Sequence, residues 1–155
     1  MAPDSINTEK LLRSLEKDNV RFVRVTWVDL TNVTRFRLVT LHHFQRLLGY
    51  SSSSAKFGAI PDPPSSSAGD SAKRGGVTIT KAAFSLVGIQ ATKETPSAGE
   101  WLYVPDLSSL RVLPYAPGHV SVMGWLEEKE TVTSQEGETL KVPLCPRGLL
   151  RRIVE

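Results

Sequence analysis

Gly99-Glu100-Trp101-Leu102-Tyr103-Val104-Pro105-Asp106-Leu107-Ser108-Ser109-Leu110-Arg111-Val112-Leu113-Pro114-Tyr115 is the stretch whose reading decides the fold. Trp101 to Val104 is rich in aromatic and β-branched residues and reads as a short buried strand that Pro105 stops. Asp106 is suited to accept backbone N–H groups at the start of a turn through Ser108 and Ser109. Leu110 to Leu113 then reads as a second short strand, closed by Pro114. Two strands joined by a Pro-Asp corner make a rigid spine. They hold no reacting group, so on chemistry alone the stretch is scaffold.

On its N-terminal side, Asp4 or Ser5 can cap a helix running to about Lys17, with Ile6, Leu11, Leu12 and Leu15 as its apolar stripe and Asn19 as its stop. Val20 to Val28 is too β-branched and aromatic for a surface helix. Val23, Val25 and Trp27 share one face and Phe22, Thr26 and Val28 the other, which predicts a central strand covered on both sides. Asp29-Leu30-Thr31-Asn32 is turn chemistry. Thr34 to Val39 returns as a hairpin partner, with Phe36 and Leu38 expected inward and Arg35 and Arg37 outward. A short helix from about Leu41 to Leu48 follows. Residues 50 to 75, with Ser51-Ser52-Ser53-Ser54 and Pro61-Asp62-Pro63-Pro64, offer too little apolar surface to offset ordering and read as a flexible loop. Gly76 to Phe84 reads as a short strand or a turn of helix, and Ala91 to Ala98 as polar loop.

Beyond the spine, His119 to Glu127 alternates as a strand, with Val120, Val122 and Leu126 on one face and Met123 and Trp125 on the other. Glu136-Gly137 turns the chain, Thr139 to Val142 returns, and Pro146 opens a final helix. About six strands with two or three helices place the chain in the α+β class, a mixed sheet with flanking helices. On the last helix Leu149, Leu150, Ile153 and Val154 fall on one side. That stripe either folds back on the sheet or meets a partner.

At 155 residues and 40% apolar, the chain is sized for one domain with one core. The net charge of +3 is small. Its excess sits in residues 1–49, where 8 Lys/Arg face 5 Asp/Glu, interleaved with acids. A nucleic-acid partner would call for clustered basic residues, so none is expected. No apolar run approaches the length of a membrane span, so no membrane partner is expected. The N-terminus lacks a secretory pattern, and cytoplasm is the default. Cys145 is the only cysteine, which excludes an intrachain disulfide. It reads as a small buried apolar residue beside Pro146. Glu127, Glu128, Glu130, Glu136 and Glu138 read as a solvated hairpin tip. His42, His43 and His119 lack metal-ligand spacing.

Val104-Pro105-Asp106-Leu107-Ser108-Ser109 with Pro114-Tyr115 resembles the V-P-D-x-S-T … P-W segment of the glutamine synthetase family. Phe22 to Leu30 with Arg35-Phe36-Arg37 resembles its first hairpin, and Cys145-Pro146-Arg147-Gly148-Leu149-Leu150 its C-P-R-x-x-L entry to the catalytic domain. The three occur in family order, with a poor match across 50 to 75. The resemblance implies a β-grasp domain over residues 1–145 and, over 146–155, the start of a catalytic domain that is otherwise absent. It implies an ATP-dependent ligase joining glutamate to ammonia or an amine, with ATP and Mg needed by the full-length family and no cofactor bound by this chain alone. It also implies a homo-oligomer or a catalytic domain as partner, and a loop of the small domain at the edge of the neighbouring active site. An acidic residue there is associated with ammonium; Thr80 and Lys81 fall at its place. A carboxylate attracts ammonium, whereas a hydroxyl beside a lysine attracts it much less or repels it, so ordinary ammonia-dependent synthesis is in doubt. Three readings compete: an interface module inert alone, an active ligase component completed by another domain, and a stand-alone β-grasp module binding a peptide or protein; a catalytically dead synthetase-like protein is the further alternative.

Overall fold

In the computed structural model of the chain, residues 5–50, 75–84, 99–134 and 137–154 are described. The expectations for Asp4, for most of 50 to 75, for Ala91 to Ala98 and for Glu136 lie outside them. Helix α1 (Ser5–Lys17) leads through Asn19, at φ 54°, into β1 (Phe22–Val28) and β2 (Thr34–Thr40). Helix α2 (Leu41–Leu47), β3 (Val77–Thr80) and a single 3₁₀ turn (Lys81–Phe84) follow. The chain is completed by β4 (Glu100–Val112), β5 (His119–Ser134), β6 (Gly137–Lys141) and α3 (Pro146–Val154). The strands form one mixed sheet in the order β2-β1-β5-β4-β3, with β6 on the far part of β5. β1 and β5 run parallel at its centre, and the other pairs are antiparallel. The α+β class and the flanking helices are as expected.

The two short strands expected around Pro105 are one strand. β4 continues through Pro105, which pairs with Gly124 on β5. β3 covers only Glu100 to Tyr103, so at Pro105 the strand is an edge on that side, where proline is tolerated. The turn expected at Asp106 survives as a bulge between Asp106 and Arg111. Asp106 Oδ1 accepts from Ser108 N at 3.1 Å and from Ser108 Oγ at 2.6 Å. Ser109 Oγ takes Met123 N at 2.8 Å, replacing the ladder bond that the bulge removes.

The hairpin β1–β2 corrects a second expectation. The register sets Val23, Val25 and Trp27 opposite Val39, Arg37 and Arg35. It is therefore Arg35 and Arg37 that share the side of Val25 and Trp27, at the open end of that side, while Phe36 and Leu38 stand about half exposed on the other. Arg35 is only half-buried and Arg37 stays exposed, and each has an acceptor. Arg35 Nε donates to Asp29 Oδ2 at 2.5 Å, and Arg37 Nη1 reaches across to the Thr78 carbonyl on the opposite edge of the sheet at 2.9 Å. The sheet is thus curled until its two edges communicate. β1 is buried on one face and only half-buried on the other, not covered on both.

The concave face holds the core. Leu12 and Leu15 of α1 and Phe44 of α2 pack with Val23, Val25, Val120 and Val122. At the other end Phe84 touches both Trp27 and Trp101, with ring centroids 5.8 and 5.4 Å apart. Tyr103 joins Trp27 at 6.2 Å. Its hydroxyl donates to Thr26 O and accepts from Gly124 N, both at 2.7 Å. The parallel pairing of β1 and β5 stops at Val25 and Val122. One step further it would bring these same two groups together, so the tyrosine hydroxyl is a wedge that continues the ladder where the strands diverge.

Burial pushes the Tyr103 phenol up to about 12, against hydrogen-bonding from Gly124. A group raised on folding contributes stability that is intact below its unfolded value near 10 and lost as pH climbs through the folded one. Stability should therefore fall between about pH 10 and pH 12. Tyr103→Phe, which strands the Thr26 carbonyl and the Gly124 N–H, should cost about 1–3 kcal/mol at pH 7. It should also flatten that alkaline decline. Urea titrations of both proteins at several pH values measure this; an unchanged alkaline slope in the variant would count against the wedge.

Candidate functional site

The position singled out from the sequence sits where β3 passes into its 3₁₀ turn. Thr80 is exposed at the end of β3, opposite Glu100. Lys81 N donates to the carbonyl of Gly99, whose φ of 102° favours glycine, at 2.9 Å. The Lys81 ammonium lies 5.1 Å from the centre of the Trp101 ring and 3.3 Å from both carboxylate oxygens of Glu128. Trp101 Nε1 donates to Glu128 Oε1 at 2.8 Å. Beside this cluster Lys129 pairs with Glu100.

Glu128 therefore does not belong to a solvated hairpin tip. It lies within β5, with Glu127 and Glu130 on the same strand, and its side chain is only 21% exposed. An indole N–H and an ammonium offset the loss of water. Sequence reading missed Glu128 and Trp101 as partners of Lys81, since Lys81 and Glu128 stand 47 residues apart and no local spacing links them. Chemically the cluster is a carboxylate already neutralised by the chain's own cation. Among the described residues no group of three or more His, Cys, Asp or Glu could hold a metal ion.

A second cluster joins two motifs that are distant in sequence. Arg147, in the first turn of α3, donates through Nη2 to Asp106 Oδ2 at 2.9 Å. Its guanidinium lies 4.4 Å from the centre of the Trp125 ring. Burial would push the Asp106 carboxyl up, but bonds from the Ser108 hydroxyl and Arg147 hold it below the ordinary carboxylate range. Cys145 is buried, as expected, and its Sγ accepts from Leu126 N at 3.4 Å. The Val-Pro-Asp and Cys-Pro-Arg segments are thus the two halves of one fastening that holds α3 to the sheet.

The stripe on α3 is left open. Leu149, Leu150, Ile153 and Val154 are 37%, 62%, 80% and 77% exposed, and none folds back onto the sheet. The structure brings the four together on one helix but does not bring them to the Lys81 cluster.

Comparison with known proteins agrees with the resemblance seen in the motifs: the chain is similar to one end of a glutamine synthetase and to glutamine-synthetase-like folds. A curated relative, the type-1 glutamine synthetase 1 of Dictyostelium discoideum, is 26% identical over 167 aligned positions, which take in 97% of this chain. The chain spans about a quarter, 27%, of that relative's length. Among solved structures, a GmaS–ADP complex has a TM-score of 0.55 at 17% identity, over 92% of this chain and 24% of that one. GmaS without ligand also has a TM-score of 0.55, at 18% identity, over 91% of this chain and 24% of that one. These two establish likeness of fold. No family model matches the chain.

Proposed function

We propose that this chain is the small, N-terminal β-grasp domain of a glutamine-synthetase-like ATP-dependent ligase, acting on glutamate with ammonia or another amine and inert alone. In this reading residues 1–145 form the domain and 146–155 lead into the catalytic one. ATP and Mg serve the completed enzyme, and the partners are a catalytic domain or other copies. The cytoplasm suits such an enzyme.

The observation that carries the reading is the α3 stripe. A helix pinned at its first turn by Arg147 and Asp106 presents Leu150, Ile153 and Val154, with part of Leu149, uncovered by the described residues. Fully covering such side chains is worth roughly 1.5–3 kcal/mol each. A relative about four times as long supplies further chain that could do so. Thr80 and Lys81 are the part of the domain assigned to the edge of the neighbouring active site. With Lys81 seated on Glu128, that edge offers ammonium no free carboxylate from this pair, which favours a bulkier amine or a catalytically dead homologue.

The test uses the chain as it stands. It should release no phosphate from ATP with glutamate, Mg and either ammonium or amines. It should self-associate, or bind a glutamine-synthetase catalytic domain supplied in trans. Leu150→Glu with Ile153→Glu should abolish that association while leaving the circular dichroism unchanged, because no strand is touched. Glutamate-stimulated phosphate release by the purified chain would refute the reading. So would a clean monomer at every concentration that also ignores the catalytic domain.

A further inference from the structure

The convex face of the sheet carries a feature that the ligase reading does not use. There Arg24 of β1 has two ring neighbours, its guanidinium carbon 5.2 Å from the centre of Phe36 and 5.6 Å from that of Tyr115. Its Nε donates to His119 Nδ1 at 3.5 Å, and His119 in turn packs against Phe22 with centroids 5.0 Å apart. The planar fork thus has two aromatic neighbours and one hydrogen bond along its inner edge. Its two terminal nitrogens meet no acceptor among the described residues, and neither is a buried orphan.

Other arginines of the chain behave differently. Arg13, Arg35 and Arg147 donate to carboxylates, and Arg37, Arg111 and Arg152 to backbone carbonyls. Around Arg24, beside the Thr26–Ser121 pair and Arg111, the surface is open and carries exposed apolar groups: Phe36 is 53%, Leu38 46%, Met123 39% and Tyr115 74% exposed. A fork restrained by aromatic neighbours and an Nε hydrogen bond has lost part of its conformational freedom, so it binds a carboxylate in two-point geometry at a reduced entropic cost. The exposed Phe36, Leu38 and Tyr115 would cover apolar neighbours of that carboxylate. A free small anion would leave these side chains wet.

We propose that the convex face around Arg24 is a docking surface for a segment of another protein in which an Asp or Glu carboxylate, flanked by apolar side chains, is clasped by the Arg24 fork. The occupant follows from charge complementarity and from the apolar ring about the fork. It does not depend on the ligase assignment, since neither α3 nor Lys81 takes part.

A phage-displayed library of random dodecapeptides, panned on the full chain, tests it. Enriched peptides should share an acidic residue between apolar ones. Synthetic versions should lose about tenfold in affinity when the acid becomes its amide. Arg24→Gln should weaken them by a similar factor, while Arg24→Lys, which keeps the charge but not the fork, should recover only part. Circular dichroism controls for folding, and the Leu150→Glu, Ile153→Glu protein should bind the peptides as the parent does. Enrichment of peptides lacking an acid, undiminished binding to Arg24→Gln, or no enrichment at all would overturn the proposal. Displacement of the peptides by millimolar free glutarate as effectively as by peptide would also overturn it, by showing a small-anion site instead.

Discussion

Replacing Gly124 by alanine should remove about half of this domain's stability or more. An added Cβ would stand 2.2 Å from the Val104 carbonyl oxygen and 2.8 Å from Tyr103 Cε1. The first obstacle is backbone of the paired strand, which cannot swing aside as a flexible side chain can. The second is the ring that carries the wedge between β1 and β5. Relief requires β4 and β5 to separate at their centre, taking the Tyr103–Gly124 hydrogen bond with them. Overpacking of this kind costs about 3 kcal/mol or more, a large share of a small domain's stability. Urea unfolding should show the midpoint falling by half or more, and Gly124→Val should express only as aggregate. A melting temperature within about 2 °C of the parent would show that the strands can part there cheaply.

The second large effect is expected at Asp29. Its carboxylate is fully buried. Oδ1 accepts from Thr31 N at 2.9 Å, Thr31 Oγ1 at 2.7 Å and Val33 N at 2.9 Å, and Oδ2 accepts from Arg35. Burial would push this carboxyl up, but the bonds from Thr31, Val33 and Arg35 outweigh it and hold the group at about 2. A group lowered on folding gives stability that is present above its unfolded value, near 3.8, and lost as pH falls through the folded one. Asp29→Ala should cost about 2–4 kcal/mol at pH 7, by freeing two turn N–H groups and unpairing Arg35. Asp29→Asn should cost less and should remove the acid loss between about pH 4 and pH 2. A variant as stable as the parent at pH 7 would mean that the hairpin turn holds without its central acceptor.

Much of this was legible in the residues. The alternation of Val23, Val25 and Trp27, and of Val120, Val122 and Leu126, placed two central strands and their buried faces, because one buried face forces a period of two. Pro146 and the Ser5 region marked helix starts. The errors share a cause. Phe36 and Leu38 look inward by hydropathy, yet register with β1 turns them out, and the side they vacate goes to a half-buried Arg35 and an exposed Arg37, whose acceptors come from Asp29 and from Thr78 on a far strand. Pro105 looks like a stop until it is known that β3 ends short of it. For the site, position alone singled out Thr80 and Lys81, while Glu128 and Trp101 became visible only when the sheet brought them together. The motifs that carried the resemblance turned out to be a mechanical joint between Asp106 and Arg147, which is why the residues themselves suggested scaffold.

The parallel pairing of β1 with β5 has a consequence for how the chain comes to be folded. Arg24 and His119, at the start of that pairing, are 95 residues apart in sequence. The first hairpin can form as soon as it is made, but its inner edge has no neighbour until most of the chain has been synthesised. β4 and β5, by contrast, are joined by a short turn and can meet early, so folding should nucleate there and recruit the older hairpin last. Until then Val23, Val25 and Trp27 are exposed on a lone ribbon, the interval in which a nascent chain most needs protection from association. Slow docking of that hairpin, rather than its formation, should set the refolding rate.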